Sequence, residues 1–167
     1  INNASKFEND NIATLNIDSW DSHNNINLKA PLFLSKDFSK QMKKNAPGLI
    51  INIIDQRIFF PNPEFISYTS SKQSLMWLTQ TLAQALSPQI RVCAIGPGPT
   101  LQGARQSKKD FENQSLSTPL MVGSNPEEIY QAVKFIIDIP SFTGQMITLD
   151  GGEHLDWIKK EDKNFKD

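Results

Sequence analysis

Three short runs of apolar, largely β-branched residues, each separated from the next by a helix-length stretch, constrain this chain more than any other feature. They are Leu49 to Ile54 (LIINII), Arg91 to Ile95 (RVCAI) and Gln145 to Leu149 (QMITL). Their nearly continuous apolar character suits strands covered on both faces, the condition of a parallel sheet. Parallel neighbours need long crossovers, and the stretches between the runs read as helices. Ser74 to Leu86 places Leu75, Leu78, Leu82 and Leu86 on one stripe, with Pro88 closing the run. Pro126 to Asp138 follows Asn125, a good cap, and carries Glu127 and Glu128 in its first turn, where acids complement the helix dipole. A third pattern runs from about Ile17 to Lys44 and stops before Pro47-Gly48.

Helix and strand thus alternate, and right-handed crossovers make this an α/β fold, the C-terminal part of a Rossmann-like doubly wound parallel sheet. With 167 residues, a single domain over 1–167 is the expectation. Three strands leave one long edge bare, so a further covering segment is expected. The chain opens Ile1-Asn2-Asn3-Ala4, without a methionine and without a basic or apolar leader, which reads as an incomplete sequence or a processed start.

Charge and composition exclude some partners. A net charge of -1 gives no electrostatic footprint for nucleic acid or for an anionic membrane, and no apolar run reaches the ~18 residues of a membrane span. A single cysteine, Cys93, cannot form an intrachain disulfide, in keeping with a cytoplasmic protein. His23 has no companion at metal-ligand spacing, so no metal site is expected. The expected partner is a small molecule.

Tyr68 and Lys72 stand four apart on a helix and therefore share a face. An ammonium beside a phenol favours phenolate and lowers the phenol pKa from about 10, which would tune Tyr68 as a proton donor near neutrality. Alone, the pair also fits an ordinary surface contact.

Other segments match in order and spacing. Asn2-Asn3-Ala4-Ser5 resembles the Asn-Asn-Ala-Gly motif of the short-chain dehydrogenases/reductases. Asn27 resembles the helix asparagine of that family's catalytic tetrad, and Tyr68-Thr69-Ser70-Ser71-Lys72 its Tyr-x-x-x-Lys. Arg91 to Gly98 resembles its sixth strand and Pro-Gly cofactor loop, and Thr143 to Gly152 its closing strand. The resemblance implies an NAD(P)H-dependent oxidoreductase with NADP as cofactor and NAD as the other candidate. It implies Tyr68 as proton donor, Lys72 as the group tuning Tyr68 and holding the nicotinamide ribose, and Asn27 as the holder of a relay water. It places Asn2, Ala4, Tyr68, Lys72, Pro97, Gly98 and Thr100 at the cofactor. It also implies a homodimer or homotetramer, built on a bundle of the helices around Asn27 and after Tyr68. His154, near a chain end that reaches a neighbouring site in family tetramers, is kept as a minor extra.

Two departures from the family pattern stand out. The Gly-rich pyrophosphate turn is missing, and Gly96-Pro97-Gly98 cannot replace it, because Pro97 has no N–H. The part carrying that turn is expected to be absent from this sequence. Second, Asp55 stands where most of the family has a serine, thirteen residues before the tyrosine. Pteridine reductases and dihydromonapterin or dihydrofolate-type reductases resemble this arrangement. A carboxyl group can hold or relay the proton that a pterin ring nitrogen takes up as hydride reaches the adjacent carbon. Asp55 could instead cap the following turn or pair with Arg57. Substrate contacts are expected from Asp55, Phe60 and Arg105. Phe59, Phe60 and Phe65 are candidates for an aromatic wall, and Arg105 lies in a long irregular stretch from Pro99 to Gly123 placed like a substrate-covering loop. The alternative readings are a carbonyl reductase acting on a 3-oxoacyl thioester, or an inactive module that only oligomerises.

Overall fold

The computed structural model describes residues 1–103 and 106–155. Three strands, β1 (Gly48–Ile53), β2 (Ile90–Pro97) and β3 (Met146–Leu149), form a parallel sheet in the order β1-β2-β3. Ile51 lies opposite Cys93 and Ile95 opposite Ile147, which puts like-facing residues in rows across the sheet. Ile51, Cys93 and Ile95 bury against Ala132 and Ile136 of helix α5 (Pro126–Asp138) on one face. Their chain neighbours Ile50, Val92 and Ala94 face the other way, onto Ala83 and Leu75 of α3 (Ile66–Ala85). Alternate residues of each strand therefore feed separate helical layers, so the runs read as continuously apolar.

The N-terminal segment adds a single rung outside β1. Asn2 N–H bonds Ile51 O at 2.8 Å, and Asn2 O accepts Ile53 N–H at 3.0 Å. Beneath it Asn52, fully buried, accepts from Asn2 Nδ2 at 2.7 Å and donates to Thr79 Oγ1 at 2.9 Å. A buried amide is tolerated because both its ends are bonded.

Helix α5 has the span expected from its sequence. Asn125 and Glu128 bond each other's backbone in a capping box. The pattern from Ile17 to Lys44 resolves into α1 (Ile17–Asn24), a π-helical turn (Asn25–Lys29) and α2 (Ala30–Gln41). Helix α3 starts eight residues before Ser74. Its first turn is capped from far away, where Asp10 Oδ1 accepts Ser67 N–H and Asp10 O accepts Phe65 N–H. The stretch from Pro99 to Gly123 is not wholly irregular. It contains α4 (Lys108–Ser117), whose cap Ser107 accepts from Asp110 N–H at 3.1 Å. No helix among the described residues is long and apolar enough to cross a membrane.

His23 is a satisfied core histidine. Its Nδ1 donates to Ser19 O at 2.8 Å, which leaves Nε2 to accept Glu8 N–H at 3.2 Å.

Candidate functional site

The site sits at the carboxyl ends of β1 and β2, where ligands bind in open parallel sheets. β1 runs out into Asp55, which caps a 3₁₀ turn (Gln56–Phe59) by accepting Arg57 N–H on Oδ1 at 2.9 Å. Its other oxygen, Oδ2, accepts the phenolic O–H of Tyr68 at 2.6 Å. The turn-capping role and the pairing with Tyr68 are thus both present in one carboxylate.

Lys72, one turn along α3, is 2% exposed and donates from Nζ to Ile53 O at 2.9 Å. Its ammonium lies 5.8 Å from the Tyr68 ring centre. Burial pulls the Lys72 pKa down to about 8, and the Asp55 charge only partly offsets this. Burial likewise pushes the Asp55 carboxyl up, against the pull of the Tyr68 hydrogen bond, the Arg57 backbone and the Arg57 and Lys72 charges. Tyr68 is raised well above 10, by burial first and then by Asp55, with Arg57 and a hydrogen bond from Ser5 opposing. The expected lowering of Tyr68 by Lys72 is therefore corrected. The phenol faces a carboxylate, while the lysine points to a main-chain carbonyl and lends its field to Asp55. A neutral phenol sharing a short hydrogen bond with a buried carboxylate is a proton reservoir.

Asn27 lies one layer behind. It is fully buried in the π turn, and its Oδ1 accepts Lys6 N–H at 2.8 Å. Its Nδ2 donates to Lys6 O at 2.9 Å and to Ser71 Oγ at 3.0 Å. Both hydrogens of its amide and one lone pair of Oδ1 are thus given to protein. These bonds pin Lys6, and with it Phe7. The Phe7 ring stacks on Phe65 (4.7 Å, 1°) and meets Tyr68 edge-on at 4.6 Å.

Two adjoining hollows open here. The larger, about 770 Å³, is lined by Phe7, Asp55, Arg57, Phe65, Thr100 and Phe111, among others. The smaller, about 470 Å³, is bounded by Ser5, Tyr68, Lys72, Pro97, Gly98 and Ile129, among others. Asp55, Pro97, Gly98 and Thr100 border both. Gly98 is required by close approach, since a Cβ there would lie 2.7 Å from Asp150 Cα. Thr100 Oγ1 is held by Ser124 Oγ at 2.6 Å.

The structure thus brings together Tyr68, Lys72, Asp55, Pro97, Gly98 and Thr100. Asn2 does not line either hollow, because its side chain and backbone are spent on β1. Ala4 is exposed outside them, and its neighbours Asn3 and Ser5 take that place. Phe60 does not line the cleft either. Phe65 and Phe7 supply the aromatic wall, and Phe59 turns outward beside His154, with ring centres 5.4 Å apart. His154 itself bonds Asp150 Oδ2 at 2.8 Å. Arg105 lies outside the described residues. Gln56 and Phe111 carry no local motif that announces them, whereas Ser5 closes the Asn2-Asn3-Ala4-Ser5 motif.

The smaller hollow fits a polyhydroxylated cofactor. An ammonium has three N–H groups, and Lys72 uses one on a described residue, so two remain for hydroxyl oxygens. Among the described residues no group of three or more His, Cys, Asp or Glu could hold a metal ion.

The short chain dehydrogenase family model matches residues 1–113. The chain is 46% identical to the FolM alternative dihydrofolate reductase 1 of Brucella canis, solved in complex with NADP, with a TM-score of 0.92 over 96% of this chain and 64% of that one. An uncharacterized oxidoreductase of Thermotoga maritima is 30% identical over 173 residues, 96% of this chain and 67% of its own. Human dehydrogenase/reductase SDR family member 4 is 32% identical over 140 residues, and the match takes in 80% of this chain and 50% of the human protein. The chain therefore spans about half to two thirds of the length of these relatives. The parallel α/β sheet, the Tyr-x-x-x-Lys pair at its carboxyl end and these matches together identify the chain as a member of the short-chain dehydrogenase/reductase family.

Proposed function

We propose that this chain is the catalytic, C-terminal part of an NADP-dependent reductase acting on a pteridine or dihydrofolate-type substrate. The observation that carries this reading is the 2.6 Å bond from Tyr68 to Asp55 at the border of both hollows. A serine hydroxyl can only orient a carbonyl. A carboxyl group raised by burial and joined to a phenol can hand a proton to a ring nitrogen. The likeness to a dihydrofolate reductase of this family supports the same substrate class.

Lys72, Pro97, Gly98 and Thr100 would hold NADPH, which supplies the hydride when bound. Tyr68 and Asp55 hold the proton that the substrate takes up. Phe7 and Phe65 offer a flat apolar face for a planar ring and keep water from it. Asn27 fixes that face from behind rather than touching the substrate.

We also propose a homo-oligomer. Trp20, Phe33, Leu34, Phe38 and Trp77 are exposed on α1 to α3, an apolar surface that a second copy would cover. The test of function is NADPH oxidation by the whole protein containing this chain, with a dihydropterin and with a 3-oxoacyl thioester. Turnover of the pterin, lost by 10²-fold or more in Asp55→Ala and Tyr68→Phe, is the expected result. Turnover of the thioester alone would remove the pteridine reading.

A further inference from the structure

Arg57 has a role that the hydride and proton chemistry does not use. It sits on the 3₁₀ turn after β1, half-buried, and lines the larger hollow. Its guanidinium centre lies 5.0 Å from the Phe65 ring centre and 5.7 Å from that of Phe7. Two stacked aromatic rings thus hold the cation in place. Yet among the described residues its side chain forms no ion pair, in a molecule where ion pairs do form elsewhere. Three acids border the same hollow, Asp55, Asp110 and Glu153, and none forms an ion pair with Arg57. Asp55 is taken by Tyr68 and by the Arg57 backbone, with the Arg57 charge acting on it from farther off, and Asp110 by the Ser107 hydroxyl.

A guanidinium carries five N–H donors in a planar fork shaped for a carboxylate or phosphate. Here the fork leans on the Phe7 and Phe65 rings and stands beyond ion-pair distance of Asp55, so its donors stay available to an anion that arrives with the ligand. We propose that Arg57 anchors a carboxylate on the substrate's tail, so that the preferred substrate is a pterin bearing an acidic substituent rather than a neutral one. This proposal rests on the pteridine reading for its ring. The ring lies by Asp55 and Tyr68, and the tail leaves along the Phe7–Phe65 wall toward Arg57.

The experiment compares kcat/KM for dihydrofolate, whose tail carries carboxylates, with that for dihydrobiopterin, whose tail is neutral, in the whole protein and in Arg57→Met. Methionine keeps apolar packing on the rings and removes the charge. The selectivity for dihydrofolate over dihydrobiopterin is expected to fall about tenfold or more, through KM and not kcat. Arg57→Lys, which keeps the charge and loses the fork, should fall between the two. Equal losses on both pterins, or an unchanged ratio, would overturn the anchor. NADPH affinity measured in parallel should be unchanged. A matching loss there would assign Arg57 to the cofactor and overturn the proposal as well. If the unsubstituted protein reduces neither pterin, the pteridine reading fails separately, and titration with p-aminobenzoylglutamate, the acidic tail alone, decides the anchor. Binding that disappears in Arg57→Met upholds it, and no binding to the unsubstituted protein ends it.

Discussion

Replacing Lys72 with methionine should make the protein more stable and less active at once. Lys72 is 2% exposed, and burial lowers its pKa from 10.5 to about 8. At ~1.4 kcal/mol for each tenfold, this puts about 3 kcal/mol of destabilisation on the charged form. Between pH 8 and 10.5 the unfolded chain binds more protons at this site than the folded one, so stability rises with pH across that window. Below pH 8 both states are charged and the whole penalty is present. Methionine removes it, but takes away the donor to Ile53 O, which costs about 1–2 kcal/mol. The net gain at pH 7 should be about 1–2 kcal/mol. The assay is urea unfolding at pH 7.5 and 9.5. Unsubstituted protein should gain about 2 kcal/mol more than Lys72→Met over this interval, because the methionine variant has nothing to titrate there. Parallel pH curves for the two proteins would refute the reasoning, and so would a variant that loses several kcal/mol at pH 7.

Other outcomes follow from the same geometry. Asn27→Ala removes three hydrogen bonds from a fully buried amide and should cost about 2–4 kcal/mol by denaturant midpoint, with a loss of aromatic near-ultraviolet signal as Phe7 is released. Gly98→Ala drives a Cβ to 2.7 Å from the Asp150 backbone and should cost about 1–3 kcal/mol while raising the KM for NADPH. In Asp55→Asn the Tyr68 phenol loses the negative charge that helps hold its pKa up, so its ultraviolet titration should move to lower pH.

Much of this was legible in the chain because the signals were local. The strands were readable as strands because β-branched residues run without alternation where both faces are covered, as Ile50 and Ile51 show by facing opposite layers. Helix α5 was readable to its ends because Asn125, Pro126 and Glu128 make its cap within four residues. The start of α3 was not, because its cap is Asp10, distant in sequence. Helix α4 was hidden for another reason. It buries no residue, so no apolar stripe marks it, and only Ser107 and Asp110 signal its start. At the site, residue types could be named but directions could not. Nothing in Tyr-x-x-x-Lys says that the lysine turns to Ile53 O while the phenol turns to Asp55. Asn2 and Ala4 were placed at the cofactor by motif, yet side chains alternate along an extended segment, and Asn3 and Ser5 are the ones that face the hollow.

The single amide of Asn27 joins three stretches of the chain, the Lys6 backbone, its own π turn and the Ser71 hydroxyl on α3. Those stretches carry the Phe7 side of the cleft and the phenol. The opposite side, around Phe111, hangs on a helix with no buried residue. The mouth is therefore an unequal vice. One jaw is bolted to the frame, and the other opens at low free-energy cost. Between the two jaws, amide hydrogens should exchange slowly around Asn27 and quickly along α4.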